Sequence, residues 1–342
     1  MTISKKKRTY PVSENLWAYL QDFRRKIQLP LTYEELRYFK QSFPLRNTQG
    51  KDTLWETALY DSSEVGSIHE GLKKMYSILR TEGDETVHEH LHVERVDYCT
   101  FGNSNPFRIK IVNNFNDNYD YFYVKQADAS RIYGLEMEHI LSPERINFYA
   151  DKNTLVEEHI AGIPGDQFIQ NNLVQKDLNK TRVAKEFVKF NERCLVRLLG
   201  DMRSYNYVFD LTPDFEEVQY RIRAIDFDQQ SYEGRRSLYL PQFFKENNPV
   251  VWLCSTCLNL PTMKQYQEEE RSLIARRYIS ENQRISALLE CMRTNPAEPP
   301  EKVIQLAQEL GEYHKSDAFD DCHSMGEIVA RNLEVTLARH IL

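Results

Sequence analysis

The sequence predicts an α+β chain of two lobes, a small antiparallel sheet lobe followed by a larger helical lobe. Three observations carry this reading. Between residues 87 and 125 apolar and polar side chains alternate with the period of a half-buried strand. After residue 179 apolar side chains recur at helical spacing, and a Gly/Pro segment at 161–165 looks like a linker between the two regimes. A chain of 342 residues is long for one core and comfortable for two. The divisions fall at 1–85 for a helical N-terminal extension, 86–161 for a sheet lobe with one helix, and 162–342 for a helical lobe.

Taken in order, residues 12–80 read as helical. Thr32 and Glu35 form a capping box, hydroxyl and carboxylate each satisfying an orphan helix amide. Leu72, Met75, Tyr76 and Leu79 mark a second helix. Phe107, Ile109 and Ile111 alternate with Arg108 and Lys110 in a strand, 113–118 supplies turn chemistry, and 119–125 returns as the next strand. A helix over 129–141 stops at Ser142-Pro143, since the residue before proline is pushed out of the helical region. Two short strands fit 146–150 and 154–160. Asn179 caps a long helix whose Val183, Phe187, Phe190, Cys194 and Leu198 form one apolar stripe. A hairpin over 207–210 and 218–225 precedes a largely helical remainder, and the extension at 1–85 is read as bracing the small lobe, with a protein partner surface as the alternative.

Composition narrows the function. A net charge of −7 speaks against nucleic acid as a partner, because binders of the phosphate backbone gain affinity from a basic face. Lys5-Lys6-Lys7-Arg8 is the one basic cluster, read as a solvated tail with a contact site as the alternative. No run approaches the ~18 apolar residues of a membrane helix, and the polar N-terminus has no secretory character, so no membrane partner and a cytoplasmic location are expected. The six cysteines are then free thiols, with Cys254 and Cys257 two buried thiols on a helix face. His88, His90 and His92 share one strand face, which reads as partly exposed histidines or as a zinc site.

Four polar positions at element ends are the informative ones. Lys125 closes a strand, and Glu136 lies in the following helix. Gly200-Asp201-Met202-Arg203-Ser204-Tyr205-Asn206 follows the long apolar helix, and Ile225-Asp226-Phe227-Asp228 ends the next strand. Phosphoryl transfer needs such parts: a lysine on phosphate oxygens, a carboxylate holding it, another on the acceptor hydroxyl, and oxygen ligands for Mg²⁺.

In this order the motifs resemble the protein kinase-like superfamily, and Gly-Asp-x-x-x-x-Asn with Ile-Asp-Phe-Asp resembles its aminoglycoside phosphotransferase and choline kinase branch, over about residues 90–230. The resemblance implies a bilobal kinase-like fold, with ATP and Mg²⁺ as cofactors and a small-molecule hydroxyl as acceptor. It implies Lys125 on the α- and β-phosphates with Glu136 as its ion-pair partner, and Tyr123 stacked on adenine. The segment Glu157-Glu158-His159-Ile160 would be the hinge, with Glu158 and Ile160 offering backbone to the adenine edge. Asp201 would be the catalytic base and Arg203 a contact of the γ-phosphate, with Asn206 and Asp226 as metal ligands and Asp228 as an additional one. The loop 101–106 has one glycine, and Leu199 stands where the family carries histidine. These two departures motivate the alternative of a kinase-like scaffold without transfer; a further alternative keeps the enzyme but makes it a protein kinase or an AMP-transferase.

Overall fold

The computed structural model describes residues 7–47, 49–81, 90–100, 104–215, 218–295 and 299–341. It is a mixed α/β structure with a large antiparallel sheet and many helices. The chain divides into two compact units, residues 1–129 with 146–159, and residues 130–145 with 160–342.

The first unit is built on one antiparallel sheet. Its helices are α1 (Glu14–Asp22), α2 (Tyr33–Leu36) and α3 (Val65–Thr81), and its strands β1 (Gln41–Arg46), β2 (Asp52–Leu59), β3 (Leu91–Cys99), β4 (Phe107–Asn113), β5 (Tyr119–Gln126), β6 (Phe148–Asp151) and β7 (Thr154–Glu158). The strand order is β1-β2-β3-β4-β5-β7-β6. The capping box forms as read: Glu35 N donates to Thr32 Oγ1 at 3.2 Å and Thr32 N to Glu35 Oε2 at 2.6 Å. Ser13 caps α1 in the same way, accepting from Leu16 N at 3.2 Å.

One face of this sheet is apolar. Phe107, Ile109, Ile111, Phe122, Val124 and Val156 pack there with Leu72, Met75 and Leu79 of α3 into one core. The pleat turns their neighbours to the opposite face. There Arg108 lies opposite Tyr123, and Tyr123 opposite Glu157.

Two expectations need correcting here. Residues 1–85 are not purely helical, because β1 and β2 lie within them and β2 pairs with β3, extending the sheet. The basic cluster is not wholly a solvated tail either. Lys7 Nζ lies 3.3 Å from Asp128 Oδ1 with its side chain only 3% exposed. Tyr10 N also donates to Asp128 Oδ2 at 2.7 Å, and Ala129 N to Tyr10 O at 2.9 Å, so the chain start is strapped to the end of the β5 connection. Lys5 and Lys6 lie outside the described residues.

The second unit is mainly helical. It contains most of α4 (Ala129–Leu141), then β8 (Ile163–Pro164), α5 (Gly165–Asn171), α6 (Lys180–Arg197), β9 (Tyr207–Pro213) and β10 (Val218–Ala224). Next come α7 (Asn248–Cys257), α8 (Leu260–Ser280), α9 (Asn282–Thr294), α10 (Pro300–His314) and α11 (Met325–Ile341). The segment expected as a linker, 161–165, instead supplies β8, which pairs with β9. Gly165 is required there by close approach: a Cβ would sit 2.4 Å from Ser204 O and from the Tyr207 ring.

The helix α4 groups with the second unit rather than with the sheet. Glu136, fully buried, pairs with Arg284 of α9 at 2.7 Å, and Glu138 pairs with Arg197 of α6. Burial pushes the Glu138 carboxyl up, but the Arg197 guanidinium outweighs it, and the group lies below its ordinary value. Cys254 is buried in α7, and burial pushes its thiol up to about 12, which keeps it protonated and inert. Its neighbour Cys257 is half-exposed, so only one of the two thiols is buried.

Candidate functional site

The turn after α6 places the first functional side chains. Leu198 ends that helix in the left-handed conformation at φ +54°, and its carbonyl accepts from Ser231 N at 2.9 Å. Gly200 N then donates to Gln229 O at 3.1 Å, so residues 198–200 run beside 229–231. Leu199 is 1% exposed and contributes to the core. Asp201 is also left-handed, at φ +56°. Asx residues tolerate this region at a cost of about 1–2 kcal/mol, and here the surrounding bonds fix it. Asp201 N donates to Leu238 O at 3.1 Å, and Asp201 O accepts from Arg203 N at 2.8 Å and from Asn206 Nδ2 at 2.7 Å.

The loop 201–206 is braced from below. Asn247 is fully buried, donates to Met202 O at 2.9 Å and Pro241 O at 2.7 Å, and accepts from Tyr207 Oη at 2.8 Å. Arg203 Nε bonds Asp201 Oδ1 at 2.9 Å while its Nη1 reaches Glu246 Oε1 at 2.7 Å. Burial raises the Asp201 carboxyl above its usual value; the Arg203 guanidinium opposes this, and Asp226 and Glu233 add to it. A carboxylate tuned upward, part-exposed and tied by one guanidinium, is equipped to orient or deprotonate a hydroxyl.

The second carboxylate group follows β10. Ile225 N donates to Asn206 O at 3.0 Å, which joins the two loops, and Asp228 N donates to Asp226 Oδ1 at 3.1 Å. Arg131, in the first turn of α4 and 2% exposed, donates through Nη1 to Asp228 Oδ1 at 2.7 Å and to Asp226 Oδ1 at 3.1 Å. Ser130 Oγ donates to the carbonyls of Asp228 and Gln230, each at 3.1 Å. Gly134 lets the helix close on Phe227, whose Cβ would be 2.9 Å from an added methyl.

Asp201, Arg203, Asn206, Asp226 and Asp228 therefore assemble in one cluster of the second unit. No protein-family model matches the chain, and a search among curated proteins found no match. Lys125, Tyr123 and Glu158 stand in the first unit. Lys125 is 7% exposed, and its Nζ lies 2.9 Å from Glu157 Oε2 and 5.3 Å from the centre of the Tyr123 ring. Tyr123 Oη is 3.2 Å from His159 Nδ1, and Glu158 holds Asn147 N at 3.0 Å and Arg80 at 3.4 Å. Glu136 and Ile160 belong to the second unit, where Glu136 is engaged by Arg284 as described. The side chain holding Lys125 inside its own sheet is thus Glu157, two residues along β7 from Leu155, its register partner.

Arg131, and Glu157 as the partner of Lys125, escaped the sequence reading. Arg131 and Glu138 are seven residues apart on a helix otherwise rich in buried apolar side chains, so they share one face. A charge pair at that spacing in so apolar a helix was a usable signal of buried partners. Of the histidines, His88 lies outside the described residues. His90 packs against Phe115 with its ring tilted by 51° and 3.9 Å between centroids, and His92 Nδ1 meets Asn114 Oδ1. Among the described residues no group of three His, Cys, Asp or Glu could hold a metal ion.

Proposed function

We propose that the protein is an ATP- and Mg²⁺-dependent phosphotransferase of kinase-like, bilobal build, moving the γ-phosphoryl group to a hydroxyl of a small molecule. The observation that carries this reading is the joining of two loops, Asp201–Asn206 and Asp226–Asp228, through the Ile225 N to Asn206 O bond at 3.0 Å. One carboxylate available for a hydroxyl then sits beside oxygen donors suited to a hard cation.

The donor set fits Mg²⁺. Asn206 gives its Nδ2 hydrogen to Asp201 O, which leaves its amide oxygen as the acceptor of that group. The Asp226 side chain is 33% exposed. Two protein oxygens suit an ion that keeps its remaining positions for water and phosphate. When bound, Mg²⁺ offsets charge on the transferring phosphoryl group. Asp201 orients the acceptor hydroxyl and takes its proton, its carboxyl raised above its usual value by burial. Arg203, held by Asp201 and Glu246, keeps a permanent positive charge beside that carboxylate. Lys125, aimed by Glu157 and with Glu136 as the further partner the resemblance supplies, binds phosphate oxygens. Tyr123 offers a ring on the same sheet face, and the backbone of Glu158 and Ile160 the hinge.

The tight hold of Arg131 on Asp226 favours one second reading, a nucleotide-binding scaffold without transfer. Thermal unfolding with and without Mg²⁺-ATP, on wild type, Asp226→Asn and Asp201→Ala, separates the two. Ligand at about 100 times its dissociation constant stabilises the folded state by about 2.7 kcal/mol. The expected result is an Mg²⁺-dependent shift kept by Asp201→Ala and lost by Asp226→Asn. Turnover against a panel of hydroxyl acceptors should fall about 10²- to 10⁴-fold in Asp201→Ala. Absence of any shift at millimolar nucleotide would remove both readings.

A further inference from the structure

We infer that the cleft between α6 and the edge strand β10 is a binding site for the phosphate group of a small molecule. The cleft lies within the second unit and shares no residue with the Asp201 cluster, so it stands independently of the phosphotransferase reading.

The cleft holds a cavity of about 340 Å³, near the lower end of the roughly 300–1,000 Å³ of small-molecule sites. Among the described residues its wall carries four cations, Arg182, Lys185, Lys189 and Arg221, against one carboxylate, Glu186. That carboxylate is committed to the protein. Its Oε1 accepts from Arg193 Nη2 at 2.7 Å and from Ile222 N at 3.2 Å, and its side chain is 7% exposed. Lys189 pairs with Glu269 at 3.0 Å, and Arg221 pairs with Glu144 at 2.9 Å and reaches Glu186 at 3.9 Å. Lys185 instead sets its Nζ 4.7 Å from the centre of the Tyr266 ring. Such a contact attracts the ammonium to the ring face without a carboxylate to cancel its charge. Bonding to Lys189, with a smaller contribution from Lys185, holds the Glu269 carboxyl below its ordinary value, as a positive surrounding does.

The sequence sets these charges against the preferences of a helix. Arg182, Lys185 and Lys189 fall at i, i+3 and i+7, on one face of α6. Like charges at that spacing destabilise a helix. Arg182 also sits in a first turn without an acidic residue, at the end where the macrodipole disfavours a cation. A bound phosphate offsets both effects. The facing strand adds a donor of another kind. β10 is the edge of its sheet, and Ile222 turns its backbone to α6, its N–H to Glu186 and its carbonyl to Arg193 Nη2 at 2.8 Å. Tyr220, two residues earlier in an unbroken register, points its backbone the same way, so its N–H faces the cavity it lines. Guanidinium, ammonium and backbone N–H together are the donors that hold a phosphate. A carboxylate, with a single charge, would match this wall less fully.

Pyridoxal 5′-phosphate tests this on the intact protein. Its aldehyde condenses with a lysine amine, releasing water, and borohydride then reduces the imine to a stable label. Peptide mapping should find Lys185 labelled about tenfold or more faster than by pyridoxal, which lacks the phosphate, because a cleft of one charge concentrates counter-ions about 10- to 10³-fold. Inorganic phosphate should protect Lys185, and chloride at the same ionic strength should not. Arg182→Glu, checked for folding by circular dichroism, should abolish the preference for the phosphorylated reagent. If that variant fails to fold, the comparison of the two reagents decides alone. Glycerol 3-phosphate and vesicles of phosphatidic acid separate a soluble ligand from a lipid head group. Protection by glycerol 3-phosphate supports the proposal, and protection by the vesicles alone overturns it. Equal labelling by the two reagents, or equal protection by chloride, overturns it as well.

Discussion

Asn247 shows how much of the site depends on a residue that carries no charge. Its amide satisfies Met202 O, Pro241 O and Tyr207 Oη from a fully buried position. Replacement by alanine removes the Asn247 bonds to Met202 O and Tyr207 Oη, while Pro241 O keeps its bond from Phe244 N at 3.2 Å, and a buried unsatisfied polar group costs about 1–3 kcal/mol. Asn247→Ala is therefore expected to lower the urea midpoint by the equivalent of about 3 kcal/mol. An unchanged midpoint would show that the loop 201–206 is held by something else. At this scale Asp201, Asn206 and Asp226 were legible because hydrogen-bonding side chains at element ends stand out against apolar flanks. Glu157 was not, since a glutamate inside a strand gives no sign of which neighbour it faces. Only register, Tyr123 opposite Glu157, puts it on the face of Lys125.

Elements were legible where a local rule decides them. The bounds of α4 follow from apolar spacing and the Ser142-Pro143 stop, and α2 from its capping box. By contrast β1 contains Pro44, lies mostly exposed at the sheet edge and lacks clean alternation, so no local pattern announced it. The placement of α4 among the helices was equally hidden, because it is set by Arg197 and Arg284, far along the chain. The Glu138–Arg197 pair carries a pH signature. A carboxyl whose folded value lies below the ordinary 4.5 adds stability that is fully present above that value and lost as pH falls through the folded one. Glu138→Gln should cost about 3–5 kcal/mol at pH 7, as breaking a buried pair does. In thermal melts the gap between Glu138→Gln and wild type should close below pH 4.5; a gap constant with pH would place the stabilisation elsewhere.

The whole molecule follows from where the backbone passes between its two units. It leaves the first after residue 129, returns after 145 and leaves again after 159. Cooperative opening units tend to follow packing rather than chain order. Amide exchange in increasing denaturant should therefore release α4 together with α6 and α9, its ion-pair partners, and not with β5, its neighbour in sequence. Release of α4 with the sheet would contradict the grouping.

That interleaving also bears on how such a chain can be inherited. Neither unit is one continuous stretch of gene, because the codons for 130–145 sit inside those of the sheet. A single recombination break between residues 138 and 145 would part Arg131 and Glu138 from Asp226, Asp228 and Arg197, their ion-pair partners. Exchange of either unit intact thus takes breaks at all three crossings, after residues 129, 145 and 159.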